Sequence, residues 1–203
     1  MAVSKKFSAQ TIRTAYEVGL REFGENYVQE FSDKRPELGE MSDARFHLIG
    51  HLQSNKVKLA SELFQVIQTA DSSKLLRRLD AALDEKRGVL EVLLEVKLSE
   101  EENKAGASPD TLPELVETAA KCPHLRLAGL MTMPPWSDDP EHSRPYFRQL
   151  AELARKYALP TLSMGMSGDF EVAIEEGATI VRVGTALFGN RPKPQAGVSP
   201  VIA

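Results

Sequence analysis

Along the chain, short runs dominated by Val, Ile, Leu and Phe alternate with longer stretches in which apolar positions recur every three or four residues. The short runs cover residues 45–50, 64–70, 89–98, 125–131, 160–165 and 179–184. They have the length and the β-branched or Leu-rich content of strands, and polar or Gly positions follow them. The longer stretches, 8–18, 53–63, 72–86, 111–121, 140–157 and 170–176, have the period of helices, and Gly19, Gly88 and Gly177 are placed to end three of them. Short strands at 2–5 and 22–26 bring the count to eight, in alternation with helices. This predicts an α/β protein folded as a (β/α)8 TIM-type barrel, since an open flavodoxin-like sheet needs fewer strands. No dinucleotide fingerprint follows the first strand. Residues 1–190 are expected to form one domain, and 191–203, rich in Pro and Gly, a flexible tail.

A barrel makes position meaningful, because its sites lie at the C-terminal ends of the strands and phosphate is often held after strands seven and eight. Strand seven leads through "SMGMSGDFEVAIEEG" (163–177) into a helix, with Ser167 and Gly168 at the junction. Strand eight leads into Gly184-Thr185. Backbone N–H groups at helix starts lack intrahelical partners, so two such junctions can cradle an anion; taken alone, Ser167, Asp169 and Thr185 are equally ordinary helix caps. Strand one ends at Ser4-Lys5, beside strand eight once the barrel closes. A lysine there can capture an aldehyde as a Schiff base, whereas alternation along the strand sends Lys6 the opposite way. Arg182, inside the apolar run of strand eight, needs a partner or a ligand if buried. His47 and His51 stand four apart but not on one helix, so they do not form a metal pair; His47 is expected to pack at the barrel mouth. Gln53 and Ser54 read as a helix start, 99–104 as a solvated loop, and Trp136 as part of a loop on the active face.

Composition narrows the partners. A chain of 203 residues, 42% hydrophobic, can bury one good core. The net charge of −4, with both signs interspersed, offers no broad basic surface for nucleic acid. The single Cys122 excludes an internal disulfide and fits a reducing compartment. No apolar run approaches the roughly 20 residues of a membrane span, so the expectation is a cytoplasmic protein.

The segments "AVSK" (2–5), "FGENYVQE" (23–30), "FHLIGHLQSNK" (46–56), "GLMTM" (129–133), "LSMGMSGDFEVAI" (162–174) and "VRVGTALFG" (181–189) resemble, in order and spacing, the YggS/PROSC family of pyridoxal-phosphate-binding proteins. The resemblance implies a barrel similar to the N-terminal domain of alanine racemase, with pyridoxal 5′-phosphate bound as an aldimine to Lys5. It implies a phosphate site at Ser167, Gly168, Gly184 and Thr185, Arg182 facing the pyridine nitrogen, and Asn26 and Met131 lining the pocket. It also implies a role in cofactor homeostasis without robust catalysis, with pyridoxal-phosphate-dependent apoenzymes as partners, and a lone barrel is compatible with a monomer. The alternative is an amino-acid racemase or related enzyme using the same cofactor, but such racemases need a second acid/base tyrosine that Tyr16, Tyr27, Tyr146 and Tyr157, expected on helices, do not evidently replace. Two departures stand out. Family members carry a helix and half of strand one ahead of "AVSK", so the expectation here is either further upstream residues or a stub strand beside an exposed apolar groove. Lys97 stands where the family usually has asparagine.

Overall fold

The computed structural model describes residues 1–84, 88–101 and 105–190. Among these residues eight parallel strands follow one another in space as in sequence: β1 (Ala2–Val3), β2 (Glu22–Glu25), β3 (Arg45–Leu48), β4 (Val66–Ala70), β5 (Leu90–Glu95), β6 (Leu125–Met131), β7 (Thr161–Met166) and β8 (Ile180–Arg182). Outside them lie α1 (Ala9–Glu17), α2 (Val28–Lys34), α3 (Val57–Leu63), α4 (Ser73–Ala81), α5 (Leu112–Ala120), α6 (Arg144–Lys156), α7 (Phe170–Glu175) and α8 (Thr185–Phe188). The ring closes between the chain's two ends. Ala2 lies opposite Val183, the Val3 N–H donates to the Val183 carbonyl at 2.9 Å, and the Val183 N–H donates to the Met1 carbonyl at 3.0 Å. The architecture is the expected (β/α)8 barrel.

Local chemistry explains several element ends. Ser8 and Ser72 cap α1 and α4, each accepting the N–H of the residue three places on. Gly19 and Gly177, at φ 104° and 95°, end α1 and α7; beyond them the Leu20 and Ala178 N–H groups reach back to the Ala15 and Ala173 carbonyls. Several boundaries differ from the pattern. The first strand stops at Val3, and Lys5 and Lys6 stand in a turn. α4 ends at Ala81, well short of residue 86, where the Ala82 N–H is shared among the carbonyls of the last turn. Tight 3-10 turns at Ser54–Lys56 and Pro140–Ser143 precede α3 and α6. α2, which the pattern does not mark, buries Val28 and Phe31. Residues 85–86 of the helix expected over 72–86, 102–104 of the expected loop and the expected tail 191–203 lie outside the described residues. None of the described helices is long and apolar enough to cross a membrane.

Two apolar regions result. The larger lies between strands and helices, where the fully buried Phe31 meets Phe46 and Phe64 with ring centroids 4.7 and 4.9 Å apart. The smaller, Val66, Leu93, Ala128 and Met131, lies apart from it. Replacing Phe31 with Ala removes the ring that ties α2 to β3 and to the end of α3. Urea denaturation is expected to show a loss of about 3–5 kcal/mol, the usual cost of such a cavity.

Candidate functional site

Strands of a parallel barrel end on one face, and the loops that follow them converge there. At that face a cavity of about 560 Å³ opens, within the ordinary range for a small-molecule site. It gathers Lys5, Asn26, Ser167, Gly168, Arg182, Gly184 and Thr185, seven of the eight residues picked out in the sequence. The eighth, Met131, is not in the cavity wall: it is fully buried with Val66, Leu93 and Ala128, and Met133, two residues on, lines the cavity instead. β6 brings its chain to the cavity rim only after Thr132.

The lysine arrives by alternation. Val3 and Lys5 line the cavity, while Ser4 between them is buried on the other side, its hydroxyl donating to Glu25 Oε1 at 2.8 Å. Lys6 is exposed and has φ 65°, so the two lysines are separated by a turn rather than by continued strand alternation. Asn26 follows β2 just as Lys5 follows β1. Its Oδ1 is buried with no hydrogen-bond partner among the described residues. Behind it the chain passes so closely that a β-carbon at Gly50 would overlap the Asn26 carbonyl, which explains glycine there.

The loops after β7 and β8 are laced together. Ser167 Oγ accepts the N–H groups of Gly184 and Ala186, both at 3.3 Å, so it caps α8 rather than α7. Asp169 occupies the N-cap position of α7, yet its carboxylate accepts from the Met166 N–H at 2.6 Å and from the Ser143 hydroxyl at 2.8 Å, bracing the turn. A side chain at Gly168 would meet open space. The small residues Ser167, Gly168, Gly184 and Thr185 therefore border one part of the cavity, with Lys5 and Arg182 also in its wall.

Arg182 is buried and has protein partners: Nη1 donates to Ser163 Oγ at 2.9 Å and Nη2 to the Thr132 carbonyl at 2.8 Å. The chain of bonds continues inward. The Ser163 hydroxyl donates to Gln68 Oε1 at 2.6 Å, Gln68 Nε2 donates to His47 Nδ1 at 2.9 Å, and His47 Nε2 meets the Glu22 carboxylate. With Nδ1 accepting from Gln68, the His47 proton sits on Nε2. His47 thus lies within a polar thread rather than in the cavity wall. Thr132 and Ser163 fall within "GLMTM" and "LSMGMSGDFEVAI", where nothing in the sequence marks them as partners of Arg182, and Gln68 falls in none of the quoted segments. Burial lowers the Arg182 pKa to about 10, with Glu95 and Asp169 opposing, so the guanidinium stays charged at neutral pH. Burial likewise pushes Glu95 up to about 7, helped by Asp71 and opposed by Arg182. Trp136 is 81% exposed at the cavity rim.

A barrel with a lysine after its first strand and small-residue turns after its seventh and eighth defines a recognisable class. The family model for "Alanine racemase, N-terminal domain" matches residues 1–192. A pyridoxal phosphate homeostasis protein of Aquifex aeolicus is 46% identical over 197 residues, covering 94% of this chain and 86% of that relative. The solved structure of PipY from Synechococcus elongatus PCC7942 with PLP bound superposes with a TM-score of 0.83 at 40% identity, covering 93% of this chain and 91% of that one. An alanine racemase of Clostridium difficile, at 12% identity and a TM-score of 0.76, covers 95% of this chain and 52% of its own and shares the fold. The chain belongs to the alanine racemase N-terminal-domain family, in the group of the pyridoxal phosphate homeostasis proteins.

Glu95 makes a pH prediction. Its carboxyl has an ordinary value of 4.5 and titrates near 7 when folded, so the folded state holds its proton more tightly. The stability this confers is complete below pH 4.5 and is lost as pH rises through 7. At about 1.4 kcal/mol per pH unit the loss is on the order of 3 kcal/mol. Glu95→Gln removes this contribution while Glu25, also raised by burial, keeps its own of the same sign. Denaturation midpoints at pH 4.5 and pH 8 are expected to differ less in the variant than in the unaltered protein.

Proposed function

We propose that this chain binds pyridoxal 5′-phosphate in the cavity at the C-terminal face of its barrel, holds it covalently through Lys5, and serves intracellular homeostasis of that cofactor rather than catalysis. The observation that carries the reading is the convergence, in one cavity, of Lys5, the buried Arg182 and the laced turns at Ser167–Gly168 and Gly184–Thr185. The buried, unpartnered Asn26 Oδ1 fits a ligand with a donor to offer. The names of the relatives and the cofactor in PipY support the same reading.

Each residue has a distinct task. Lys5 supplies the amine that captures the aldehyde and releases it again by exchange. The turns at Ser167–Gly168 and Gly184–Thr185, with the Thr185 hydroxyl, would hold the phosphate, because charge-assisted bonds are stronger than neutral ones. Arg182, fixed by Ser163 and Thr132, would stand against the ring nitrogen and keep it unprotonated. The cofactor when bound supplies an electron-withdrawing ring, and an unprotonated ring nitrogen weakens that withdrawal, which suits a carrier. Among the described residues no tyrosine lines the cavity, so a second acid/base group of the racemase kind has no obvious source within it. The carrier works in the cytoplasm as a monomer and passes its cofactor to the apoenzymes that use it.

Borohydride reduction of the cofactor-loaded protein followed by peptide mass mapping is expected to place the pyridoxyl mass on Lys5; finding it on Lys6 or Lys56 would overturn the assignment. Incubation with D- or L-alanine in deuterated water is expected to leave the α-hydrogen unexchanged, and rapid exchange with turnover would favour a racemase. The phosphate site is tested at equilibrium. Pyridoxal without phosphate is expected to bind far more weakly than pyridoxal phosphate. Thr185→Ala, which removes one charge-assisted bond, is expected to weaken cofactor binding roughly ten- to a hundredfold. Equal binding of the two vitamers would return Ser167 and Thr185 to plain structural roles.

A further inference from the structure

The turn that carries Lys5 is held from behind by a buried charged cluster that the cofactor site itself does not use. Residues 4–7 form a turn closed by the Phe7 N–H donating to the Ser4 carbonyl at 3.1 Å, with Lys5 and Lys6 at its centre. Lys6 has φ 65°, a left-handed backbone that a β-carbon disfavours and that glycine usually supplies. Such a conformation persists only where its surroundings over-determine it. Here they do. Lys34 Nζ, on the last turn of α2, donates to both carbonyls that frame the turn, Ser4 O and Phe7 O, each at 3.3 Å. The same ammonium is paired with Glu25 Oε1 at 2.7 Å and Glu30 Oε1 at 2.9 Å. The two carboxylates grip the turn in their own right: Glu25 Oε1 accepts the Ser4 hydroxyl at 2.8 Å, and Glu30 Oε1 accepts the Lys6 N–H at 2.5 Å.

Glu25 is fully buried, one residue before Asn26 on β2, and its second oxygen has no partner among the described residues. Burial pushes its carboxyl up, and Lys34 and Ser4 oppose that push. A buried carboxylate with a single cation beside it is costly to keep unless the arrangement does something. Ordinary packing of α2 on β2 would need no charge at that point, because Val28 and Phe31 already seat the helix in the core. Every polar contact of the cluster instead ends on the turn at residues 4–7 or within the cluster.

We infer that Lys34, Glu25 and Glu30 are positioning residues for Lys5: they hold the 4–7 turn in its left-handed form, so that Lys5 is presented to the cavity and Lys6 to solvent. The inference rests on the reading of Lys5 as the cofactor lysine, and its test has an arm that does not. In cofactor-free protein, Lys34→Met is expected to speed hydrogen–deuterium exchange of the Lys6 and Phe7 amides about tenfold, because their acceptors are no longer fixed. Adding Lys6→Gly is expected to restore slow exchange at Phe7, since glycine adopts positive φ without the clamp. That rescue would not follow if Lys34 merely stabilised the fold.

In the loaded protein, borohydride labelling is expected on Lys5 alone for the unaltered chain, with lower occupancy and a fraction on Lys6 for Lys34→Met. Full occupancy of Lys5 should return in Lys34→Met/Lys6→Gly. Unchanged exchange and labelling in Lys34→Met would overturn the inference, as would a double variant no better than the single one. If Lys34→Met does not fold, Glu30→Ala takes its place: Glu30 is partly exposed and contributes the acceptor for Lys6, so a smaller change of the same sign supports the clamp and none refutes it. Absence of label from Lys5 in the unaltered protein would refute the functional reading and leave the exchange arm to judge the clamp.

Discussion

Closure of the sheet between β1 and the residue after β8 is the constraint on which the rest depends. Two hydrogen bonds, Val3 N–H to Val183 C=O and Val183 N–H to Met1 C=O, join positions about 180 residues apart. Pairing of this kind is among the slowest and most entropically expensive contacts a chain can form, and it is stable only because the other six strands and their helices have already assembled a core. Once closed, the ring sets the turn after β1 beside those after β7 and β8. Lys5, Arg182 and the small-residue turns therefore become neighbours as a result of topology, not of local sequence.

Inside the ring, polarity is handled by direction. From Arg182 through Ser163, Gln68 and His47 to Glu22, each group donates to the next, so no buried hydroxyl or amide in that thread competes for the same acceptor. Arg182 is consequently held by its protein partners, while Glu95 and Asp169 supply nearby negative charge. The same economy appears on the outer side of β1 and β2, where Lys34 serves two carboxylates and two carbonyls at once. Both arrangements spend buried charge on orientation, and both end at residues that reach the cavity: Arg182 in one case and the Lys5 turn in the other.

The barrel was legible in the sequence because period and punctuation are local. Apolar runs of strand length, helical repeats capped by Ser8 and Ser72, and stops at Gly19 and Gly177 all act within a turn or two of the chain. Boundaries were less legible where tertiary pairing ends an element. β5 stops at Glu95 although the apolar run continues: the Val96 N–H still reaches Met131 of β6, but the Lys97 N–H turns to the Ala107 carbonyl. α2 was hidden because only Val28 and Phe31 mark its buried face over seven residues.

By itself the sequence determined the order of strands and helices, hence the barrel, and it placed Lys5, Asn26, Ser167, Gly168, Arg182, Gly184 and Thr185 at strand ends that must share one face. Only the tertiary structure decided which groups complete them. Alternation says that Ser163, Gln68 and His47 lie on a given side of their strands, but not that they touch, because contact across a barrel depends on the stagger of eight strands. It also separated Met131 from Met133, and it revealed Lys34 and Glu25 behind the lysine turn. Hydrogen bonds between residues 21 to 95 positions apart leave no periodic trace in a chain; they exist only once packing has removed water and each buried polar group has had to find its partner.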